Sequence, residues 1–208
     1  MRGRFSIISS LCVALLVSAV RGAIADDKPD ASTPKAAALL FSQAMDRGDV
    51  AAARTLATGA AKQLAVLDVL VPVAGGFKRL ELAAKAKWGD EGRKTLFSDE
   101  GPGRYDFAKR LETSTEEIAG DTATIRPADA KDAKRDTLKM KRVGGQWKVD
   151  MMSIPTEGLD NPTTMKTLKT MAETATTLAS EIEQGKFASA AAARDALRQR
   201  MLEDKYPP

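Results

Sequence analysis

Residues 143–151 read VGGQWKVDM and join a glycine pair to a run that contains one of the two tryptophans of the chain. Residues 137–143 and 146–152, on either side of Gly144-Gly145, alternate apolar and polar side chains, as strands half-buried in a sheet do. A two-residue turn rich in glycine is typical of a tight β-hairpin. The stretch therefore predicts the last hairpin of an antiparallel sheet.

The register of this hairpin sorts its side chains onto two faces. One face pairs Arg142 with Trp147, Met140 with Val149, and Leu138 with Met151. The other face is mostly polar and carries Thr137, Lys139, Lys141, Gln146, Lys148 and Asp150. Such a division is typical of a sheet covered on one side by helices. Trp147 is expected on the covered side near the turn, where the cation of Arg142 is able to lie over its ring.

A second hairpin precedes this one. Residues 111–119 and 122–127 flank the turn Gly120-Asp121 and predict two further strands. Their register places Glu116 on a face with aliphatic side chains. Glu116 is therefore a candidate acid or base in a pocket, with a solvated position at the edge of the sheet as the alternative.

Helices are predicted before the sheet. Residues 35–45 form the first, which ends at Gly48, and Asp49 caps a second over residues 50–58. The Arg47-Gly48-Asp49 triplet, although it matches an adhesion tripeptide, is interpreted as this stop and start.

The apolar run that begins at Ala60 predicts a third helix to about Val71. Pro72 and Gly75-Gly76 then predict a kink or turn before a fourth helix that includes Trp88. Asp68 is the only charged residue between Leu64 and Gly76. Its carboxylate either lies in a pocket, as a second candidate acid or base, or is exposed to solvent on the polar edge of a helix.

Residues 156–208 predict two more helices, one that follows Asn161-Pro162 and ends near Gly185, and one capped by Ser189. This helical hairpin either folds back on the preceding unit or contacts another chain. Because helices come first and strands second, the chain is expected to be α+β. The predicted fold has N-terminal helices packed on a curved antiparallel sheet over residues 35–155, followed by the C-terminal helical hairpin.

The N-terminal end indicates export. Residues 1–25 have a basic start, an apolar run and a small-residue triplet, as a cleavable secretory signal does, and residues 26–34 are expected to be a flexible leader. The apolar run is too short for a stable membrane span. Cleavage would remove three arginines and no acid, which lowers Lys+Arg from 32 to 29 against 28 acids. The basic charge that would favour nucleic acid is then largely lost.

The composition also limits the chemistry. Cys12, the only cysteine, lies inside the expected signal, and the chain contains no histidine. A thiol nucleophile and a thiolate metal site are therefore excluded after cleavage, and the commonest general base near neutral pH is absent. No cofactor or metal is expected.

Three stretches resemble one family of proteins: LLFSQAMDRGDVAAARTLAT, EIAGDTATIRP and TLKMKRVGGQWKVDM. They are similar to the nuclear-transport-factor-two-like superfamily, which includes the SnoaL-like proteins and many small exported domains. The resemblance implies a cone-shaped α+β domain over about residues 35–153. It says little about activity, since that superfamily includes isomerases, dehydratases, transport adaptors and binding modules.

These observations favour an exported, non-catalytic domain that binds a small apolar ligand or a protein partner. The candidate pocket residues are Asp68, Glu116, Arg142 and Trp147. One rival is an isomerase- or dehydratase-like enzyme that uses Asp68 or Glu116 as its base. The other is an oligomeric structural component of the cell envelope assembled through residues 156–208.

Overall fold

The computed structural model describes residues 31–97, 107–128, 137–154, 158–159 and 161–205. The expected signal sequence and most of the expected leader lie outside these residues, as do residues 98–106 and 129–136. The described part of the chain is mixed α+β, which confirms the predicted class, and its five-stranded sheet does not close into a barrel.

Five helices precede the main strands: α1 Pro34–Arg47, α2 Val50–Thr55, α3 Ala61–Ala65, α4 Leu67–Leu96 and α5 Phe107–Glu112. The strands are β1 Ala57–Thr58, β2 Thr115–Ala119, β3 Thr122–Arg126, β4 Leu138–Val143 and β5 Gln146–Asp150. A 3-10 turn, Met151–Ser153, follows, and α6 Pro162–Glu183 and α7 Ala190–Lys205 complete the order. Across the sheet the strands lie in the order β1-β5-β4-β3-β2.

Local capping defines the first two helices. The Thr33 hydroxyl accepts a hydrogen bond from the Ala36 amide, and Pro34 occupies the first turn of α1. Gly48 ends α1 with φ 70°, a left-handed conformation that glycine adopts without a side-chain clash. The Asp49 carboxylate then accepts from the Ala52 amide at 2.9 Å and starts α2. The interpretation of Arg47-Gly48-Asp49 as a helix stop and start is confirmed.

The predicted continuation of α2 to Thr58 is wrong. The helix ends at Thr55, and residues 57–58 pair in parallel with β5. The Val149 amide donates to the Leu56 carbonyl at 2.9 Å, so pairing with a distant strand overrides the helical pattern of this short segment. Parallel β1 makes the sheet mixed, whereas a wholly antiparallel sheet was expected.

The predicted start of the first hairpin strand at Leu111 is also wrong. Residues 107–112 form α5, and the Ser114 hydroxyl donates to the Leu111 carbonyl at 2.7 Å. Since this bond closes the turn after the helix, β2 begins only at Thr115.

The registers of both hairpins are confirmed. Glu116 pairs with Ile125, Ile118 with Ala123, Met140 with Val149, and Arg142 with Trp147. The predicted pairing of Leu138 with Met151 does not form because β5 ends at Asp150. The carboxylate of Asp150 accepts from the Met152 amide at 3.0 Å and turns the chain into the 3-10 segment.

The predicted break at Pro72 and Gly75-Gly76 is wrong. Residues in this stretch stay helical, and the interruption within α4 lies at Gly89, where φ is 71°. Gly75 faces the backbone of Gly48, and a Cβ atom on it would lie 2.6 Å from the Gly48 Cα. A Cβ atom on Gly76 would lie 3.0 Å from the Ala172 carbonyl. The two glycines allow close helix packing and do not form a turn.

Two hydrophobic cores share α4. The first joins α1, the sheet and the start of α4, including Phe41, Leu67 and Val71. The second joins the later part of α4 to α6 and α7, including Leu80 and Leu178. The C-terminal helices therefore fold back on α4, one of the two arrangements that the sequence left open. Gly75 and Gly76 lie between the two cores.

Candidate functional site

Trp147 belongs to the first core. Only 4% of its surface is exposed, and its neighbours in the core include Ile125, Met140 and Val149. The Trp147 amide donates to the Ala31 carbonyl at 3.0 Å, which ties the segment before α1 to the side of β5 that also pairs with β1. The tryptophan therefore fills the space between the sheet and the helices.

Arg142 lies opposite Trp147 at the end of the same hairpin, but its side chain is exposed. Its Nε atom lies 3.4 Å from the carbonyl oxygen of Gly145. The guanidinium is thus directed back to the turn.

Glu116 of β2 contacts the first turn of α1. Its side chain is exposed, and its Oε1 atom accepts a hydrogen bond from the Lys35 amide at 3.0 Å. Lys35 is in the first turn of α1, where backbone amides have no partner within the helix. A carboxylate there also interacts favourably with the positive end of the helix dipole. Glu116 therefore caps the N-terminus of α1.

Asp68 is held by one arginine. Its two carboxylate oxygens accept from Nε and a terminal nitrogen of Arg54 at 2.8 and 2.6 Å. Both side chains are more than 40% exposed. Hydrogen bonding to Asp68 raises the pKa of Arg54 above its ordinary value. The pair joins α2 to the first turn of α4 at the surface.

The four sequence-predicted residues are therefore not brought together in one cavity. Trp147 is in the core, Arg142 is at the turn, and each of the two carboxylates is engaged by a structural contact. The centre of the sheet's inner face, on β3, β4 and β5, is occupied by side chains that are less than 5% exposed: Ala123, Ile125, Met140, Trp147 and Val149.

A groove of about 860 Å³ lies elsewhere, at the joint between the two cores. It is open to solvent and is lined by the end of α1, the middle of α4 and one face of α6. Pro72, Gly75, Gly76 and Ala172 contribute apolar surface, and Leu82 at its margin is 55% exposed. We refer to this site as the joint groove.

Charged side chains of both signs border the joint groove: Asp46, Arg47, Arg79 and Glu173. Arg79 donates to both carboxylate oxygens of Glu183, at 3.2 and 2.7 Å, and links α4 to α6. This contact lowers the pKa of Glu183 and raises that of Arg79. The arginine of a cross-helix ion pair therefore borders the groove.

Sequence reasoning missed the joint groove because it interpreted Gly75-Gly76 as a turn. The available signal was the helical spacing of apolar residues on both sides of the pair. A glycine pair within one continuous helical pattern indicates close packing of a neighbouring backbone.

None of the helices in the described residues has the length and hydropathy needed to cross a membrane. Within the same residues, acidic side chains do not cluster in groups of three that could hold a metal ion.

Comparison of the chain with family models, curated proteins and solved structures gave no significant match. The similarity to the nuclear-transport-factor-two-like superfamily accordingly remains an expectation from the three quoted stretches.

Proposed function

We propose that this chain is an exported, non-catalytic interaction domain of the nuclear-transport-factor-two-like type, and that it binds a segment of a protein partner in the joint groove. The observation that carries the proposal is the contrast between two regions. The centre of the sheet's inner face is filled by side chains, while the joint groove is open and built on closely packed helices.

A protein segment suits the joint groove better than a small apolar ligand. Pockets for small molecules generally enclose most of the ligand surface, whereas this groove is largely open to solvent. The exposed side chain of Leu82 and the border charges of both signs form a mixed surface. Such a surface is complementary to a peptide that presents an apolar residue between charged ones.

The catalytic rival receives less support. A general base must reach the proton that it removes, and both candidate carboxylates are occupied by other groups outside the joint groove. Asp68 makes a two-point ion pair with Arg54, and Glu116 caps α1. The oligomeric rival also loses support, since α6 and α7 direct their main apolar faces to α4.

Photo-cross-linking in the native host tests the proposal. A photoreactive amino acid replaces Thr177, an exposed residue of α6 that lines the joint groove. The control replaces Thr167, an exposed threonine of the same helix away from the groove. We expect a protein adduct of defined mass at position 177 and none at 167, and we expect Leu82→Glu to abolish it.

Three outcomes would contradict the proposal. The first is the absence of an adduct at both positions. The second is an equal yield of adduct at both positions, and the third is an adduct at position 177 that still forms in Leu82→Glu. Selective labelling of position 177 by a small lipid-like molecule in place of a protein would transfer support to the small-ligand hypothesis.

A further inference from the structure

The sheet face that points away from α1 carries a line of cations across three neighbouring strands. Lys148 of β5 lies directly opposite Lys141 of β4, and Lys139 is two residues further along β4. Arg126 of β3 is two residues beyond Thr124, the partner of Lys139. Side chains of alternate residues share a face, so the four cations form one diagonal track, called here the basic track.

No ion pair joins Lys139, Lys141, Lys148 or Arg126 to any other residue in the described part of the chain. Lys141 and Lys148 also form a directly opposed pair of like charge, an arrangement that destabilises a sheet. This cost would be offset if an anion lay over the pair.

Two acids border the basic track on opposite sides. Glu117 of β2 lies on one margin, and Asp150 of β5 lies on the other. A phosphatidylglycerol surface, a nucleic acid or an acidic polysaccharide presents one sign of charge only, and these acids would repel it. A peptide can place acidic residues over the track and basic residues at its margins.

The composition of this face also argues against nucleic acid. Its described residues include threonine, lysine, arginine and the two acids, but no aromatic side chain. Single-stranded nucleic acids generally bind where bases stack on aromatic rings. Ladder spacings give the track a length of roughly 15–20 Å, which an extended peptide of about seven residues spans.

We propose that the basic track is a second binding surface, distinct from the joint groove, and that it docks an acidic segment of a protein partner. Carboxylates of the segment lie over Lys148, Lys141, Lys139 and Arg126. Basic residues of the segment face Glu117 and Asp150.

The test uses a synthetic peptide in which glutamate alternates with serine and a lysine stands at each end. Its affinity for the full chain is measured by fluorescence anisotropy at low salt. We expect the double variant Lys141→Gln/Lys148→Gln to bind at least about tenfold more weakly, since interface charge pairs carry energies of this order. The control, Lys166→Gln/Lys169→Gln, removes two exposed lysines from α6 and should bind as the wild type does.

Lys148→Glu separates loss of binding from misfolding. The change replaces a like-charge pair by an opposite-charge pair with Lys141, so the midpoint of thermal unfolding should be unchanged or higher. Peptide binding should nevertheless be lost. A lowered midpoint together with unchanged binding would overturn the inference.

A further comparison decides between classes of partner. Heparin, oligothymidylate and phosphatidylglycerol vesicles are each titrated against the same protein. The proposal requires the peptide to bind more tightly than all three, and it requires Glu117→Lys to weaken peptide binding. Tighter binding of any of the three, or equal binding of a peptide with lysine in place of glutamate, would overturn it.

Discussion

At the scale of single residues, the contacts around Gly75 decide how α4 meets the rest of the molecule. In the sequence, two glycines follow a proline, and this pattern usually indicates a turn. The glycines instead let the Gly48 backbone and the Ala172 carbonyl approach the helix. The close contact depends on residues 27 and 96 positions away along the chain, so local pattern alone does not predict it.

Gly75→Ala tests this contact. Alanine would favour an isolated helix by about 1 kcal/mol, yet its Cβ atom would lie 2.6 Å from the Gly48 backbone, which cannot rotate away. We expect a net loss of about 1–3 kcal/mol in the free energy of unfolding, measured with urea. Gly76→Ala is the matched comparison. Its Cβ atom would meet the Thr176 hydroxyl at 3.1 Å and the Ala172 carbonyl at 3.0 Å, so its loss should be smaller.

A turn at Gly75-Gly76 would give a different result. In a turn that tolerates alanine the two variants would behave alike, with stability unchanged or raised. That outcome would contradict the close packing of α1 and α6 against α4, on which the shape of the joint groove depends.

The candidate residues also differ in whether a local pattern or a distant contact decides their environment. The burial of Trp147 was predictable because it depends on the alternation of one hairpin. The contacts of Glu116 with Lys35 and of Asp68 with Arg54 were not, since each joins elements that the sequence does not show to be neighbours.

At the scale of elements, the hydrophobic pattern correctly predicted the pairing of strands that are adjacent in sequence. It failed for elements whose structure depends on a partner that is distant in sequence. Both hairpins have the expected register, because a two-residue turn fixes it. The short strand β1 depends on β5, which is about 90 residues away, and it was predicted to be helix. Between α4 and α6, the ion pair of Arg79 with Glu183 is a further long-range contact that leaves no local signal.

This ion pair predicts a specific pH dependence. Because Arg79 lowers the pKa of Glu183 in the folded state, the pair stabilises the fold at pH values above the unfolded pKa, about 4.3. The contribution is lost as the pH falls through the lower, folded pKa. Both side chains are about half exposed, so its size should not exceed about 1 kcal/mol.

Arg79→Gln should therefore be less stable than the wild type at neutral pH and should converge with it in acid. The measurement is urea denaturation at a series of pH values. Arg194→Gln is the control, since Arg194 pairs only with its sequence neighbour Asp195 among the ion pairs of the described chain. A deficit of Arg79→Gln that persists unchanged in acid would contradict the assignment.

At the scale of the whole molecule, α4 unites two cores, whereas the sequence predicted one α+β unit over residues 35–155 and a C-terminal hairpin that either folds back on it or contacts another chain. The order of helices, hairpins and C-terminal helices was predictable from periodicity. The sharing of α4 was not, because the predicted break divided it at the point where it is continuous. The consequence for function is that the joint groove is bordered by α1, α4 and α6 and depends on both cores together.

Native-state hydrogen exchange tests the central claim, that α4, helical without a break from Leu67 to Trp88, holds both cores and fixes the joint groove between them. Amides in the buried turns of α1, α4 and α6 should open with similar free energies, close to that of global unfolding. Cooperative protection that extends from α1 through Gly75-Gly76 to α6 would support the account. Exchange of α6 and α7 more than about 100-fold faster than that of α1 and the sheet would contradict it, because the C-terminal helices would then open as an independent unit.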